Sequence, residues 1–416
     1  MHDTRRPRLW GLSGPTGILA VSVFLNFAGF TLIIPVLPFS VARYVPAEFV
    51  APAVSLIIAI YALCAFLAGP MLGALSDHFG RRPVLLLSLL GSAVGFAVFG
   101  IGGALWVLIL GRIVEGLTAG AISAMYACVA DTYPPAERGA VYGLLGAAGG
   151  LGFMLGPVLG GLLGGISLAA PLYLATILAL GNAAWVYLRL PESRPATTRA
   201  DKLGLLHLNP LRPLAAALRY GGLRVLFAAA FCFFGAGTLL QSNLAVLLKD
   251  HLGFDTAAIG VVLLGVGAMD IVSQGLLSPP LIRRFGERRT ATVGLVINAM
   301  GFAAIALVAF TAWVPLLIGG MAIFTLGDGL FQPAQNGMIA SAAPEGKQGE
   351  VQGANQAQQA IARTIGPLVG AALYTMLPAG PYLLGAVIVL GGAVVLLAAG
   401  RARQRAGGPS DGLRAG

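Results

Sequence analysis

Between Gly139 and Leu188 the chain carries no Asp, Glu, Lys or Arg, and several other runs of 20 or more residues lack charge in the same way. A run of that length cannot supply a water-facing surface. Only 10% of the 416 residues are charged and 57% are hydrophobic, against about 25% charged in an ordinary soluble domain. A disordered chain needs the opposite composition. The 59 Gly and 25 Pro make it neither collagen-like nor polar low-complexity. The runs are continuously apolar and do not alternate every second residue, which excludes a β-barrel. The expected class is an all-α polytopic membrane protein.

A spanning helix needs about 20 apolar residues, so with a short loop each takes about 30 to 35, which leaves room for twelve. Charged and Pro-rich breaks place six spans near 16–39, 50–73, 83–102, 104–130, 141–164 and 168–189. Six more fall near 223–248, 257–280, 290–311, 314–340, 351–376 and 381–400. The long internal break holds Pro191, Pro195, Pro210 and Pro213. It divides the chain into a cytoplasmic N-terminus (1–15), a six-helix bundle (16–189), a cytoplasmic linker (190–222), a second bundle (223–400) and a cytoplasmic tail (401–416). With the N-terminus inside, the cytoplasmic segments collect 22 of the 26 Lys and Arg, the sidedness expected of a membrane protein. The net charge of +10 reflects that asymmetry rather than nucleic-acid binding. Arg5, Arg6 and Arg8 before an apolar run resemble a signal peptide. That run is about 24 residues long and further spans follow, so retention is expected.

Shifting the sequence by 210 residues brings 130–161 onto 340–371 with nine identities, among them Pro134/Pro344, Gly139/Gly349, Gly156/Gly366 and Pro157/Pro367. Composition alone gives roughly three, so the two halves are a duplication, as in transporters built from repeats about a central site. Cys64, Cys128 and Cys232 fall in expected spans and the four His are scattered, so neither a disulfide framework nor a metal site is indicated.

After the second span the chain reads Gly73-Ala-Leu-Ser-Asp77-His-Phe-Gly80-Arg81-Arg82. The fourth opens with Gly111-Arg112-Ile-Val-Glu115-Gly116 and is followed by Asp131 and by Glu137-Arg138-Gly139. The fifth contains Gly152-Phe-Met-Leu-Gly156-Pro157-Val-Leu-Gly160-Gly161. Together these resemble the major facilitator superfamily, specifically its twelve-span drug/proton antiporters, and among them the tetracycline/proton exporters. Physically, Gly73 and Gly80 permit a tight turn, and Asp77 and Arg81, four apart, can pair or bind a helix end. The resemblance implies that this loop latches the two halves in the outward-open state; simple positive-inside anchoring is the alternative. In the second half Arg283 stands where Asp77 would. Gly152, Gly156, Gly160 and Gly164 give one helix a face without side chains, and Pro157 is expected to bend it. That face serves a gate or packing alone.

Five ionisable residues fall within expected spans, where burial is costly. Arg112 and Glu115 lie three apart and can neutralise each other. The resemblance implies a role for Arg112 in proton movement, against a purely structural pair. Asp270 stands where the tetracycline exporters carry a histidine implied in proton coupling. It is expected to carry a proton or to pair with Arg363. Asp328, between Gly327 and Gly329, either binds a cationic substrate or a proton or caps a helix end. Gln332, Gln335 and Asn336 follow it in the span that lines the cavity in the family. Gln352, Asn355, Gln356, Gln359 and Arg363 share one helical face. Lipid would penalise that face, so it forms a cavity wall or a buried seam. Asn26 and Asn298 stand where the tetracycline exporters carry acidic residues, a departure that bears on tetracycline–metal recognition and on the usual placement of the proton site. Asn26, Gln332, Gln335, Asn336, Gln356 and Gln359 are the candidate substrate-binding residues.

The expected function is proton-coupled export of small amphipathic compounds by alternating access, by a monomer in the inner cell membrane that binds a small-molecule substrate and protons. The alternative is a transporter of one metabolite, siderophore or sugar; Pro191-Glu192-Ser193-Arg194 is faintly like sugar porters. No enzyme is expected, because no catalytic spacing stands out. No cofactor is expected, and no phosphate-cradling loop points to ATP.

Overall fold

The computed structural model describes residues 14–195, 197, 209, 211, 214–215, 218–343 and 348–405. The side chains of 135–136, 348–350, 352 and 400–405 lie outside that description. So do most of the expected linker and tail, residues 1–13, and Gln352 of the polar face. Among the described residues every regular element is helical. In the first half these are α1 (Pro15–Thr31), the short α2 (Leu37–Val41), α3 (Val50–Phe79), α4 (Arg81–Ile101), α5 (Leu105–Leu117), α6 (Ala121–Thr132), α7 (Pro135–Ile166) and α8 (Ala170–Arg189). In the second they are α9 (Gly221–Leu252), α10 (Thr256–Val272), α11 (Ser278–Phe285), α12 (Glu287–Thr311), α13 (Val314–Ala342), α14 (Gln348–Met376) and α15 (Gly380–Arg405).

Among the described residues ten segments are long and apolar enough to cross a bilayer. Two expected spans are not among them. Helix α1 has 17 residues, and α14 carries the amides and Arg363 that dilute its apolar content. Side chains such as Ile166 (80% exposed), Leu188 (73%) and Trp106 (67%) point outward. Apolar exposure of this extent suits hydrocarbon rather than water.

Three expected spans are interrupted. The first stops at Thr31, because Pro35 and Pro38 remove backbone donors and restrict the residues before them; turns link it to α2. The fourth breaks at Thr118–Gly120 between α5 and α6. There the Thr118 hydroxyl donates to the carbonyls of Val114 at 2.9 Å and Glu115 at 3.2 Å, competing with the helical ladder. The eighth widens into a π turn at Ser273–Leu277, just before Pro279 and Pro280, whose missing N–H groups cannot continue the regular pattern.

The chain forms two compact units: the described residues of Met1–Pro210 with Ala245–Gly267, and those of Leu211–Leu244 with Ala268–Gly416. In the first, Ile18, Leu19, Leu85, Met125, Val141 and Val186 form one buried cluster drawn from α1, α4, α6, α7 and α8. In the second, α12 packs on α13 and α15, around fully buried Phe302, Phe331 and Tyr382.

Candidate functional site

The charged turn of the first unit is a helix junction. Gly73 lies inside α3, with nothing near the space its Cβ would fill, so the turn expected of Gly73 and Gly80 falls to Gly80 alone. Gly80 adopts φ 107°, a conformation that side chains disfavour, and α4 begins at the next residue. Gly286 repeats this in the second unit at φ 80°, between α11 and α12. Arg81 is the hub. Its Nη1 donates to Asp77 Oδ1 at 2.7 Å and to Ser76 Oγ at 3.2 Å, and its Nε to Asp131 Oδ2 at 2.7 Å. Asp131 and Glu192 are 50 and 111 positions from Arg81, and no spacing in the sequence announces those contacts.

Arg112 and Glu115 form the expected pair, Nη1 to Oε2 at 2.6 Å, with each side chain 5% exposed. The guanidinium lies over the Tyr61 ring at 5.4 Å and the Phe99 ring at 5.7 Å. A Cβ on Gly95 would come within 2.8 Å of Glu115 Cβ, so glycine lets α4 close over the pair. Removing one partner leaves an uncompensated buried charge, costing about 3–5 kcal/mol. Glu115→Gln is therefore expected to lower the thermal unfolding temperature of the purified protein sharply, with Glu115→Asp intermediate. An unchanged melting curve for Glu115→Gln would show that the pair carries little stability.

In the second unit Asp270 lies near the end of α10, one residue pair before the π turn, and Asp328 lies in the middle of α13. Mid-helix placement removes helix-end capping as a role for Asp328. Each carboxylate accepts a hydrogen bond from the glutamine four residues on, Gln274 Nε2 to Asp270 Oδ2 and Gln332 Nε2 to Asp328 Oδ2, both at 2.8 Å. The i,i+4 spacing is legible for both; Gln274 was missed. Ser273 bridges the helices, its hydroxyl 3.1 Å from the Asp270 carbonyl and 3.3 Å from that of Thr325. It presses on α13 where a Gly329 side chain would stand. Among the described residues Asp270 Oδ1 has no hydrogen-bond partner. π turns recur at functional sites.

The polar face of α14 is divided. Asn355 is buried, and its Oδ1 accepts from Gln358 Nε2 at 2.8 Å and from Gln335 Nε2 of α13 at 3.4 Å. This part is the buried seam, and Gln358 belongs to it. Gln356 and Arg363 are exposed and Gln359 is half-buried. On α13, Gln332 is half-buried and Asn336 exposed, so the structure does not gather these polar residues around one point. Asn26 is half-buried on α1. Asn298 is 1% exposed and donates to the Phe324 carbonyl at 3.0 Å, which commits its amide to holding α12 on α13.

Gly152 and Gly156 of α7 lie directly on the α1 backbone and Thr31, and Gly160 lies on the backbone of Leu32, just after α1. Gly164 meets Val36 and Thr256. Pro157 lies inside α7, and its carbonyl meets the space a Gly260 side chain would fill. The neighbouring Gly161 offers its carbonyl to Thr256 Oγ1 at 2.8 Å, a second contact face that the four-residue glycine spacing does not reveal.

A polytopic helical bundle with ionisable groups sunk in its spans is the architecture of a membrane transporter. The Major Facilitator Superfamily model matches residues 19–367, and the chain belongs to that superfamily. It is 32% identical over 372 residues to the class D tetracycline resistance protein of Salmonella ordonez, covering 88% of this chain and 90% of that protein. It is 33% identical over 358 residues to the class G tetracycline resistance protein of Vibrio anguillarum, covering 86% and 90%. The crystal structure of the human organic anion transporter MFSD10 matches with a TM-score of 0.72 at 24% identity, over 92% of this chain and 98% of that one, a likeness of fold.

Proposed function

We propose that this multi-pass membrane transporter exports small amphipathic compounds in exchange for protons, acting as a monomer by alternating access in the inner cell membrane. The observation that carries the reading is the Asp270–Asp328 pair. The two carboxylates lie on helices joined through Ser273 and the Thr325 carbonyl, and each is held by a neutral amide. Among the described residues neither makes an ion pair. Two such groups within spans require a countercharge that comes and goes, and a proton is the smallest. Protonation from the outer side removes the charge, and differential proton binding in two states biases the equilibrium between them. The likeness to tetracycline resistance proteins supports outward drug movement. The amides at Asn26 and Asn298 argue for a substrate other than a metal–tetracycline complex.

Cells expressing the protein, loaded with a panel of fluorescent amphipathic compounds, are expected to accumulate less of some of them, and an uncoupler should abolish the difference. Counterflow of a labelled metabolite, siderophore or sugar with no effect on any drug would replace this reading with a dedicated transporter.

A further inference from the structure

Each unit turns from one helix into the next at a positive-φ glycine, Gly80 in the first and Gly286 in the second, but the charges around the two turns differ. In the first unit acids answer the bases. Arg81 is held by Asp77 and Asp131, both at 2.7 Å. Glu192 accepts from the backbone N–H of Arg81 at 2.9 Å and from that of Arg82 at 3.2 Å. In the second unit Arg283, Arg284 and Arg289 are all exposed, and among the described residues none of the three makes an ion pair. Glu287, the one acid in that turn, is directed elsewhere: its Oε1 fills the space that a Gly337 side chain would need on α13. Arg288 also faces protein, its Nε donating to the Leu396 carbonyl of α15 at 3.0 Å.

Arg289 heads an apolar stripe. With Val293, Val296, Met300 and Leu307 it falls on one face of α12, and all five are exposed. Leu295, Asn298 and Phe302, on the other face, are buried. An exposed apolar stripe on a spanning helix is the side that meets hydrocarbon. The equivalent face of α4 in the first unit runs through Pro83, Leu87, Leu90 and Val94, all exposed, and has no charge at its head. In the second unit that place is taken by a guanidinium. Across the Gly286 turn stand Arg283 and Arg284, in the last turn of α11, and the exposed Phe285, over whose ring the Arg284 guanidinium lies at 5.4 Å.

We infer that the α11–α12 turn binds the headgroup of an anionic phospholipid, with Arg289 on the phosphate and an acyl chain along the stripe from Val293 to Met300. Cations without counter-ions at a membrane surface attract anionic lipid, and the planar guanidinium fork matches phosphate oxygens. The stripe that continues directly from Arg289 selects lipid over free phosphate or an acidic protein, since neither has an apolar chain to lay on it. A zwitterionic lipid carries its own amine beside the phosphate and leaves the three arginines unmatched in charge.

The test is lipid retention by the full-length protein, released for native mass spectrometry from nanodiscs of equal parts phosphatidylglycerol and phosphatidylcholine. The wild type is expected to keep phosphatidylglycerol in preference. Arg289→Gln should reduce that preference about fivefold, the worth of one basic residue near an anionic surface, and Arg283→Gln, Arg284→Gln and Arg289→Gln together about a hundredfold. Arg289→Lys, which keeps the charge, should retain most of it and guards against a folding defect. Arg43→Gln, which removes an exposed arginine of the first unit, should change nothing. Glycerol phosphate, a headgroup without chains, should not bind. Equal retention of the two lipids by the wild type, or an unchanged preference in the triple variant, would overturn the inference. So would a loss in Arg43→Gln as large as that in Arg289→Gln, which would reduce the effect to net charge, or binding of glycerol phosphate, which would remove the chain from recognition. The readout needs no substrate and no proton gradient, so it stands apart from any failure of the export reading.

Discussion

Gly160→Ala is expected to yield protein that folds poorly, because the added Cβ is driven into the carbonyl of Leu32, the residue that follows α1. The obstacle is backbone within a helix seam, which cannot rotate away. Overpacking of this kind costs about 1–3 kcal/mol and sometimes more, and in a membrane bundle it opens a contact for which lipid offers no substitute. Gly327→Ala should behave alike, since its Cβ meets the Asn298 backbone where α12 and α13 touch. Gly143→Ala and Gly150→Ala, also in α7, meet nothing within 4 Å. They should be neutral or slightly stabilising, because Ala favours a helix by up to about 1 kcal/mol over Gly. Thermal unfolding of the four purified variants checks the ordering. Equal melting temperatures across the set would mean that the α1–α7 and α12–α13 seams are looser than described.

Asp328→Asn and Asp270→Asn are each expected to uncouple substrate movement from protons while leaving the protein folded. Asparagine keeps the oxygen that accepts from Gln332 or Gln274 and removes only the ability to ionise. Coupling between two ligands is typically worth about 1–3 kcal/mol, or 5–150-fold, so substrate-driven proton flux should fall by about tenfold or more. Equilibrium binding of substrate should persist. On the reading of the two carboxylates as one coupled proton site, the double variant should be little worse than the more severe single one. Additive losses would show two independent proton sites. Full activity in both single variants would remove this pair from the coupling step.

The helical membrane class was legible because uncharged runs leave a chain no other way to satisfy its backbone, and most expected spans match helices to within several residues. The interruptions were visible only as letters. Pro35, Pro38, Pro279 and Pro280 announce trouble for a helix without saying whether a turn or a π widening results. The local pairs Asp77–Arg81 and Arg112–Glu115 followed from three- and four-residue spacing, since such neighbours share a helix face. Contacts that close over long sequence separations did not: Arg81 to Asp131, Glu192 to the start of α4, Asn355 to Gln335. The α14 face shows the limit of periodicity. Spacing groups Asn355 with Gln356 and Arg363, but α13 covers only one edge of that face, so burial splits what the helix wheel joins.

The central claim is exchange of drug for proton, and everted membrane vesicles with an acid interior test it most directly. A fluorescent reporter follows the pH gradient as a panel of amphipathic drugs is added. Loss of the gradient on addition of a transported drug, absent from vesicles carrying Asp328→Asn, is the predicted result. A gradient that stays intact with every drug, from wild-type protein shown to be folded, would contradict it.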